Sequence, residues 1–293
     1  MQIGFIGLGH MGFPMAAQIL KHRFDIYAYD PIPDSMRNFE EIGGKTYQNH
    51  IKIAEKSDII ITMIPAEKHL FEIYSPSFIQ HLKPNALCID CSTVGPIASR
   101  KWHDLLHQVG IHSIDAPVSG GVAAASNGSL TFMVGGDSHD VEKAQPILMA
   151  MGTNIIHTGG YGTGQAAKIC NNLILANTMI AVSEGFKLAK AFELPLDKLH
   201  DIAQNSSAKS WVIDKYVPVP GLLDNVPANQ DYKAGFSCQM MLKDLTIINE
   251  ACQKLELPLG LTLKSLETYQ NIVAHEQGDK DFSYVYAFDN KNP

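Results

Sequence analysis

This sequence of 293 residues lacks long hydrophobic runs, blocks of positive charge and an even set of cysteines. No uninterrupted apolar stretch reaches the roughly 20 residues that a membrane-spanning helix needs. The nearest, at 165–192, is interrupted by Lys168, Asn171, Asn172, Asn177, Glu184, Lys187 and Lys190. No run of Lys and Arg exceeds two residues and the formal charge is −7, which argues against a nucleic-acid surface. Five cysteines, an odd number in a long chain, point to reduced thiols and a cytoplasmic setting. Cys88 and Cys91 form a C-x-x-C with no second pair, so a structural zinc site is not expected. His103 and His107 have i,i+4 helical spacing without a third ligand, and are expected to be solvated residues on a helix face. Met1 runs directly into a strand-like segment, which leaves no room for a signal or transit peptide in the sequence as given.

What is present is an alternation. Strand-like runs at Gln2–Ile6, Asp25–Tyr29, Asp58–Ile64, Ala86–Asp90, His112–Ala116, Leu130–Gly135 and Asn154–His157 are separated by helical patterns. The clearest of those are Met11–His22, Pro96–Val109 and Ser138–Met151. Such alternation predicts an α/β fold with a Rossmann-type, doubly wound parallel sheet over residues 1–161. After Gly159-Gly160-Tyr161-Gly162 the β-branched bursts stop and helical periodicity takes over. An all-α domain over 162–293 is expected, entered by a long interdomain helix near 165–192 that extends roughly 40 Å. Its largely apolar surface predicts burial against other helices, or against a second subunit in a homodimer or homotetramer. Residues 216–236, rich in Pro and Gly, are expected to be an ordered non-helical insertion. Helices resume near Ser237–Leu255 and Thr262–Ala274.

The first strand runs straight into Gly7-Leu8-Gly9-His10-Met11-Gly12. A G-x-G-x-x-G between a strand and a helix is the context in which this motif signals a dinucleotide. Gly7 permits the tight turn, Gly9 admits the pyrophosphate, and Gly12 lets helix pack on strand. The helix N-terminus supplies N–H groups for the phosphates. The second strand ends at Asp30, whose carboxylate suits ribose hydroxyls and would repel a 2′-phosphate, so NAD is expected rather than NADP.

Further along, Lys168 and Asn172 stand four apart at the start of the long apolar helix. That spacing turns an amine and an amide toward the same small molecule.

In order along the chain come GFIGLGHMGFPMA at 4–16, TMIPA at 62–66, DCSTVGP at 90–96, DAPVSGG at 115–121, GTGQAAKICNN at 162–172 and LKDL at 242–245. With this set the chain resembles the β-hydroxyacid dehydrogenases over residues 2–288. The proline-rich stretch at 206–236 narrows the likeness to the 3-hydroxyisobutyrate dehydrogenases. Within that resemblance Val217 stands where Asn is frequent and Ala208 where Gly is usual.

The resemblance implies NAD-dependent oxidation of 3-hydroxyisobutyrate to methylmalonate semialdehyde, a step of valine breakdown, or of a related small 3-hydroxy acid. Hydride transfer needs a base for the hydroxyl proton, and the family's catalytic lysine falls on Lys168. Desolvation and nearby positive charge would lower its pKa toward neutrality. Asn172 is expected to orient the substrate or the lysine. Ser119, Gly120 and Gly121 would close on the substrate carboxylate, with Lys243 beside it. Leu8, His10 and Met11 join the three motif glycines and Asp30 in the expected cofactor set. So do Ile64, Pro65, Thr93 with Ser92, Phe236, Lys243 and Asp244. No metal, nucleic acid or membrane is expected to bind.

Overall fold

The computed structural model describes residues 1–289, which fall into two compact units, one from Met1 to Lys168 and one from Ile169 onward. The first unit is an α/β sheet domain. Its elements begin β1 (Gln2–Ile6), α1 (Gly12–Lys21), β2 (Asp25–Tyr29), α2 (Pro33–Glu41), β3 (Lys45–Thr46), α3 (His50–Lys56) and β4 (Ile59–Thr62). They continue α4 (Glu67–Ile73), α5 (Pro76–Ile79), β5 (Leu87–Asp90), α6 (Pro96–His107), β6 (His112–Asp115), β7 (Val118–Ser119) and α7 (Gly121–Asn127). The unit closes with β8 (Leu130–Gly135), α8 (Ser138–Met151) and β9 (Gly152–Gly159), after which α9 (Thr163–Ala191) starts.

The strands lie in the order β3-β2-β1-β4-β5-β6-β8-β7, with β9 paired to β8. From β3 to β6 every pairing is parallel. Beyond β6 the expected parallel run ends, because β8 is antiparallel to both β6 and β7, while β9 returns parallel to β8. The two-residue strand β7 is joined to β8 by the short helix α7, and the two strands pair antiparallel at Val118–Phe132 and Ser119–Thr131.

Side-chain alternation explains why helices cover both faces. Ile3, Phe5, Ile59, Ile61, Leu87 and Ile89 enter one apolar cluster, with Met15 and Ile19 of α1. Their neighbours Ile6, Ile60 and Cys88 enter another, with Trp102 and Leu106 of α6. Strands buried on both faces read as continuous apolar runs, as in Ile59-Ile60-Ile61.

The second unit holds the rest of α9, then α10 (Leu196–Gln204), α11 (Trp211–Lys215), α12 (Cys238–Lys254) and α13 (Gly260–Ala274), with 3-10 turns at Pro227–Gln230 and Phe282–Tyr286. Ile169, Ala176 and Met179 share its core with Met241, Leu245, Ile248, Tyr269 and Ile272. The α9 face outside that core is not covered: Ile174 is 67% and Leu188 59% exposed. The proline-rich insertion is ordered by polar ties. Asn229 accepts from Gly221 N and donates to Leu223 O, and Tyr232 Oη donates to Pro218 O. Asp281 Oδ2 accepts from Tyr216 Oη, Gly235 N and Phe236 N. Val217 lies fully buried beside Phe186, Ala203 and Ile213, so its apolar side chain serves packing there.

Candidate active site

The glycine-rich turn after β1 divides its three glycines between structure and space. Gly7 has φ +100°, and a Cβ there would lie 2.2 Å from the Met63 carbonyl oxygen. A Cβ on Gly12 would lie 1.8 Å from the Gly7 carbonyl oxygen, so α1 can start close to β1 only with glycine there. At Gly9 a Cβ would meet nothing within 4 Å. The chain itself does not fill that space, which is the fit a pyrophosphate requires. A pair of variants separates the two roles. Gly12→Ala is expected to lower stability, whereas Gly9→Val is expected to keep the parent melting temperature yet weaken NADH binding about tenfold or more. Calorimetry and NADH fluorescence titration check both, and unchanged NADH affinity in Gly9→Val contradicts the role given to that space.

Asp30, at the end of β2, is only 6% exposed. Its Oδ2 accepts from Leu8 N at 2.6 Å and its Oδ1 from Ile32 N at 2.8 Å. The carboxylate therefore braces the glycine turn, and each oxygen keeps a further lone pair. His10 is exposed and Met11 half-buried.

The ends of β4, β5 and β6 carry a buried polar network. Asp90 Oδ1 accepts from Thr62 Oγ1 at 2.8 Å and from Ser92 Oγ at 2.7 Å. Ser92 Oγ in turn accepts from Ile64 N at 2.9 Å. Ser92, expected beside Thr93 at the ribose, is instead fully buried and tied to these partners, a correction that follows from the neighbouring carboxylate. Thr93 and Ile64 are half-buried, and Pro65 is exposed.

Burial raises the Asp90 carboxyl from 3.8 to about 6, against its hydrogen bonds with Ser92 and Thr62. The folded state thus binds the proton more tightly than the unfolded chain. The stability so gained is complete below about pH 4 and lost as the pH rises through about 6. Between those limits the parent is expected to lose on the order of 2–3 kcal/mol relative to Asp90→Asn. Denaturant unfolding at about pH 4 and pH 8 measures this, and a pH-independent difference contradicts it.

Asp115 closes β6 and is fully buried. Its Oδ1 accepts from Gly162 N at 2.8 Å and its Oδ2 from Gln165 N at 2.8 Å, so one carboxylate caps the first turn of α9. Such close approach needs glycine on both sides. A Cβ on Gly164 would lie 2.8 Å from Asp115 Oδ2, and one on Gly135 would lie 2.6 Å from Asp115 Oδ1.

His103 is also part of this cluster, contrary to the expected solvated position. It is 1% exposed, with Nδ1 2.6 Å from Ser113 Oγ and Nε2 3.1 Å from Asp115 Oδ1. The sequence signal is the stripe Ser99, Trp102, His103, Leu106, which repeats at three and four residues and is buried throughout. His107 lies off that stripe and is exposed. Gln165, given no role by its sequence context, is fully buried and bonded to the turn after β5.

Lys168 is half-buried on α9, one turn beyond Gln165. Ser119 lies in β7, opposite Thr131. Gly120 and Gly121 have φ of +130° and +69°, conformations that favour glycine, and they lead into α7.

In the second unit Asn172, 2% exposed, donates from Nδ2 to Asp244 Oδ2 at 2.6 Å. Lys243 Nζ lies 3.2 Å from Asp244 Oδ1, which gives an Asn172–Asp244–Lys243 cluster. Phe236 is half-buried, its ring edge-on to Phe282 with centroids 5.8 Å apart.

Comparison with known proteins places this arrangement. A model of the NAD binding domain of 6-phosphogluconate dehydrogenase matches residues 2–159. A second, for the NAD-binding region of NADP-dependent 3-hydroxyisobutyrate dehydrogenase, matches residues 162–288. The human mitochondrial 3-hydroxyisobutyrate dehydrogenase is 40% identical over 98% of this chain and 86% of its own length. The chain belongs to the β-hydroxyacid dehydrogenase family. The NAD-dependent L-serine dehydrogenase of Pseudomonas aeruginosa is 38% identical, covering 97% of this chain and 96% of its own. The solved Mycobacterium tuberculosis 3-hydroxyisobutyrate dehydrogenase with L-serine superposes with a TM-score of 0.94 at 35% identity, covering 98% of each chain.

This family member is an oxidoreductase, and NAD is its cofactor. No helix among the described residues is long and apolar enough to cross a membrane.

Proposed function

We propose that this dehydrogenase oxidises 3-hydroxyisobutyrate to methylmalonate semialdehyde with NAD, using Lys168 as general acid/base. The observation that carries the proposal is the placement of Lys168. It stands one turn into a helix whose start is bonded to the ends of the cofactor-binding sheet through Asp115 and Gln165. NAD, when bound, supplies a hydride acceptor. In its neutral form the Lys168 amine takes the hydroxyl proton as the carbinol carbon loses hydride, and in reduction the ammonium returns it. Asn172, one turn further along α9, is assigned to orienting the alcohol. Ser119 and the N–H groups of Gly120 and Gly121 are assigned to the substrate carboxylate, with Lys243 as a further cation.

Gly7, Leu8, Gly9, His10, Met11 and Gly12 are assigned to the pyrophosphate, and the spare lone pairs of Asp30 to the adenosine ribose. That carboxylate supports a preference for NAD over NADP. Ile64, Pro65, Thr93, Phe236, Lys243 and Asp244 complete the proposed cofactor set. The buried or half-buried state of most of its five thiols supports a reducing, cytoplasmic setting. The exposed apolar face of α9 supports a homo-oligomer. Sedimentation tests this, and a monomer at micromolar concentration contradicts it.

L-serine, another 3-hydroxy acid, is the second reading, because relatives of similar identity carry it in their names. Steady-state NADH formation with 3-hydroxyisobutyrate and L-serine, and reverse assays with tartronate, succinic and glyoxylic semialdehydes, test the choice with NAD and with NADP. A kcat/KM for 3-hydroxyisobutyrate at least about tenfold above the others is expected, since one unsuited polar group in a pocket costs at least that much. A higher value for L-serine transfers the assignment to it.

A further inference from the structure

The Gln165 side chain touches the chain on both sides of Thr93. Its Oε1 accepts from Val94 N at 3.1 Å and from Gly95 N at 3.0 Å, and its Nε2 donates to Ser92 O at 2.6 Å. Its own backbone N–H goes to Asp115 Oδ2. One fully buried residue thus joins the turn after β5, the end of β6 and the first turn of α9. The turn also connects backward, because Ser92 Oγ holds Ile64 N beyond β4 and leans on Asp90. Lys168 follows Gln165 by three residues, about 4.5 Å along the helix axis.

We propose that Gln165 is a positioning residue for the hydride-transfer reaction: its amide fixes the distance between the cofactor-facing turn at Thr93 and the Lys168 amine. This rests on Lys168 being the acid/base. Two reacting groups on separate segments keep a reactive separation only if those segments are locked together, and a misplacement near 1 Å can cost about a hundredfold in rate. The Asp115 carboxylate holds the helix start through Gly162 N and Gln165 N, and these two bonds do not reach the turn at 92–95. The Gln165 side chain bonds that turn from the first turn of the helix itself. A side chain that only filled space would not need three directional bonds from one amide, each ending on backbone.

The test is a pair of substitutions. Gln165→Met keeps the volume and deletes the three side-chain bonds. Gln165→Glu can reproduce all three only as the neutral acid, whose hydroxyl donates to Ser92 O. The Met variant is expected to lose kcat about a hundredfold while KM for NAD and NADH affinity stay within about twofold. Competitive acetylation of the cofactor-free protein, read by mass spectrometry, is expected to change the Lys168 rate at least about threefold relative to the other lysines. The Glu variant is expected to recover part of kcat toward acidic pH, a limb the parent profile lacks. The proposal is overturned if kcat falls only with the folded fraction, or if Lys168 acetylation is unchanged. Turnover surviving in Lys168→Ala would instead refute the acid/base reading, so the two failures are distinct.

Discussion

Lys168→Ala is expected to lower kcat about a thousandfold while NADH affinity stays within about twofold of the parent. The size follows from the chemistry. Without the amine, the hydroxyl proton must go to water, and a positioned acid/base group contributes about 10²–10⁴-fold. Binding is expected to be spared because the pyrophosphate is assigned to the Gly7–Gly12 turn, which Asp30 braces, and not to Lys168. Stability is spared too, since a half-buried lysine truncated on a helix loses little packing. Steady-state kinetics with fluorescence titration on one preparation check the split. If kcat stays within about tenfold, the base is another group, since less than the usual acid/base contribution would have been lost.

Asp115→Ala is the second large effect, and it falls on stability. Removing the carboxylate leaves Gly162 N, Gln165 N and His103 Nε2 facing an empty site in a fully buried position. Each orphaned donor costs about 1–3 kcal/mol, and the negative charge that complements the α9 N-terminus is lost with them. A loss of about 3–5 kcal/mol is expected, a large share of the total stability of an ordinary domain. It should appear as a fall of roughly 10 °C in melting temperature. Asp115→Asn keeps one acceptor oxygen and is expected to fall between parent and Ala. Both variants melting with the parent would mean that the helix start is held by other bonds.

Much of the architecture was legible because its signals are local. Gln2–Ile6, Asp25–Tyr29, Leu130–Gly135 and Ser138–Met151 are apolar or periodic runs closed by glycine, proline or polar residues, and they fold over the same bounds. Two-residue strands leave no such trace. β3 and β7 exist through pairing with β2 and β8, which no window of sequence contains. The run of β8 was legible, but its antiparallel direction was hidden for the same reason.

The glycine turn was legible because backbone geometry dictates residue type there. Gly162 and Gly164 were visible only as part of a motif. Their physical reason, the approach of Asp115 to α9, joins segments almost fifty residues apart. Asp115, His103 and Gln165 act through long-range bonds in the interior. Of these only His103 carries a periodic signal, on the stripe with Trp102 and Leu106. Ser92 shows the converse: its place beside Thr93, which was expected at the cofactor, suggested exposure, while Asp90 draws it inward.

The most direct measurement is a crystal structure of the complex with NADH and 3-hydroxyisobutyrate, reading the separation of Lys168 Nζ from the substrate hydroxyl oxygen. A distance of about 3 Å, with the carbinol carbon over the nicotinamide ring, is the expected result. An amine turned to solvent, with a different side chain on that hydroxyl, contradicts the account.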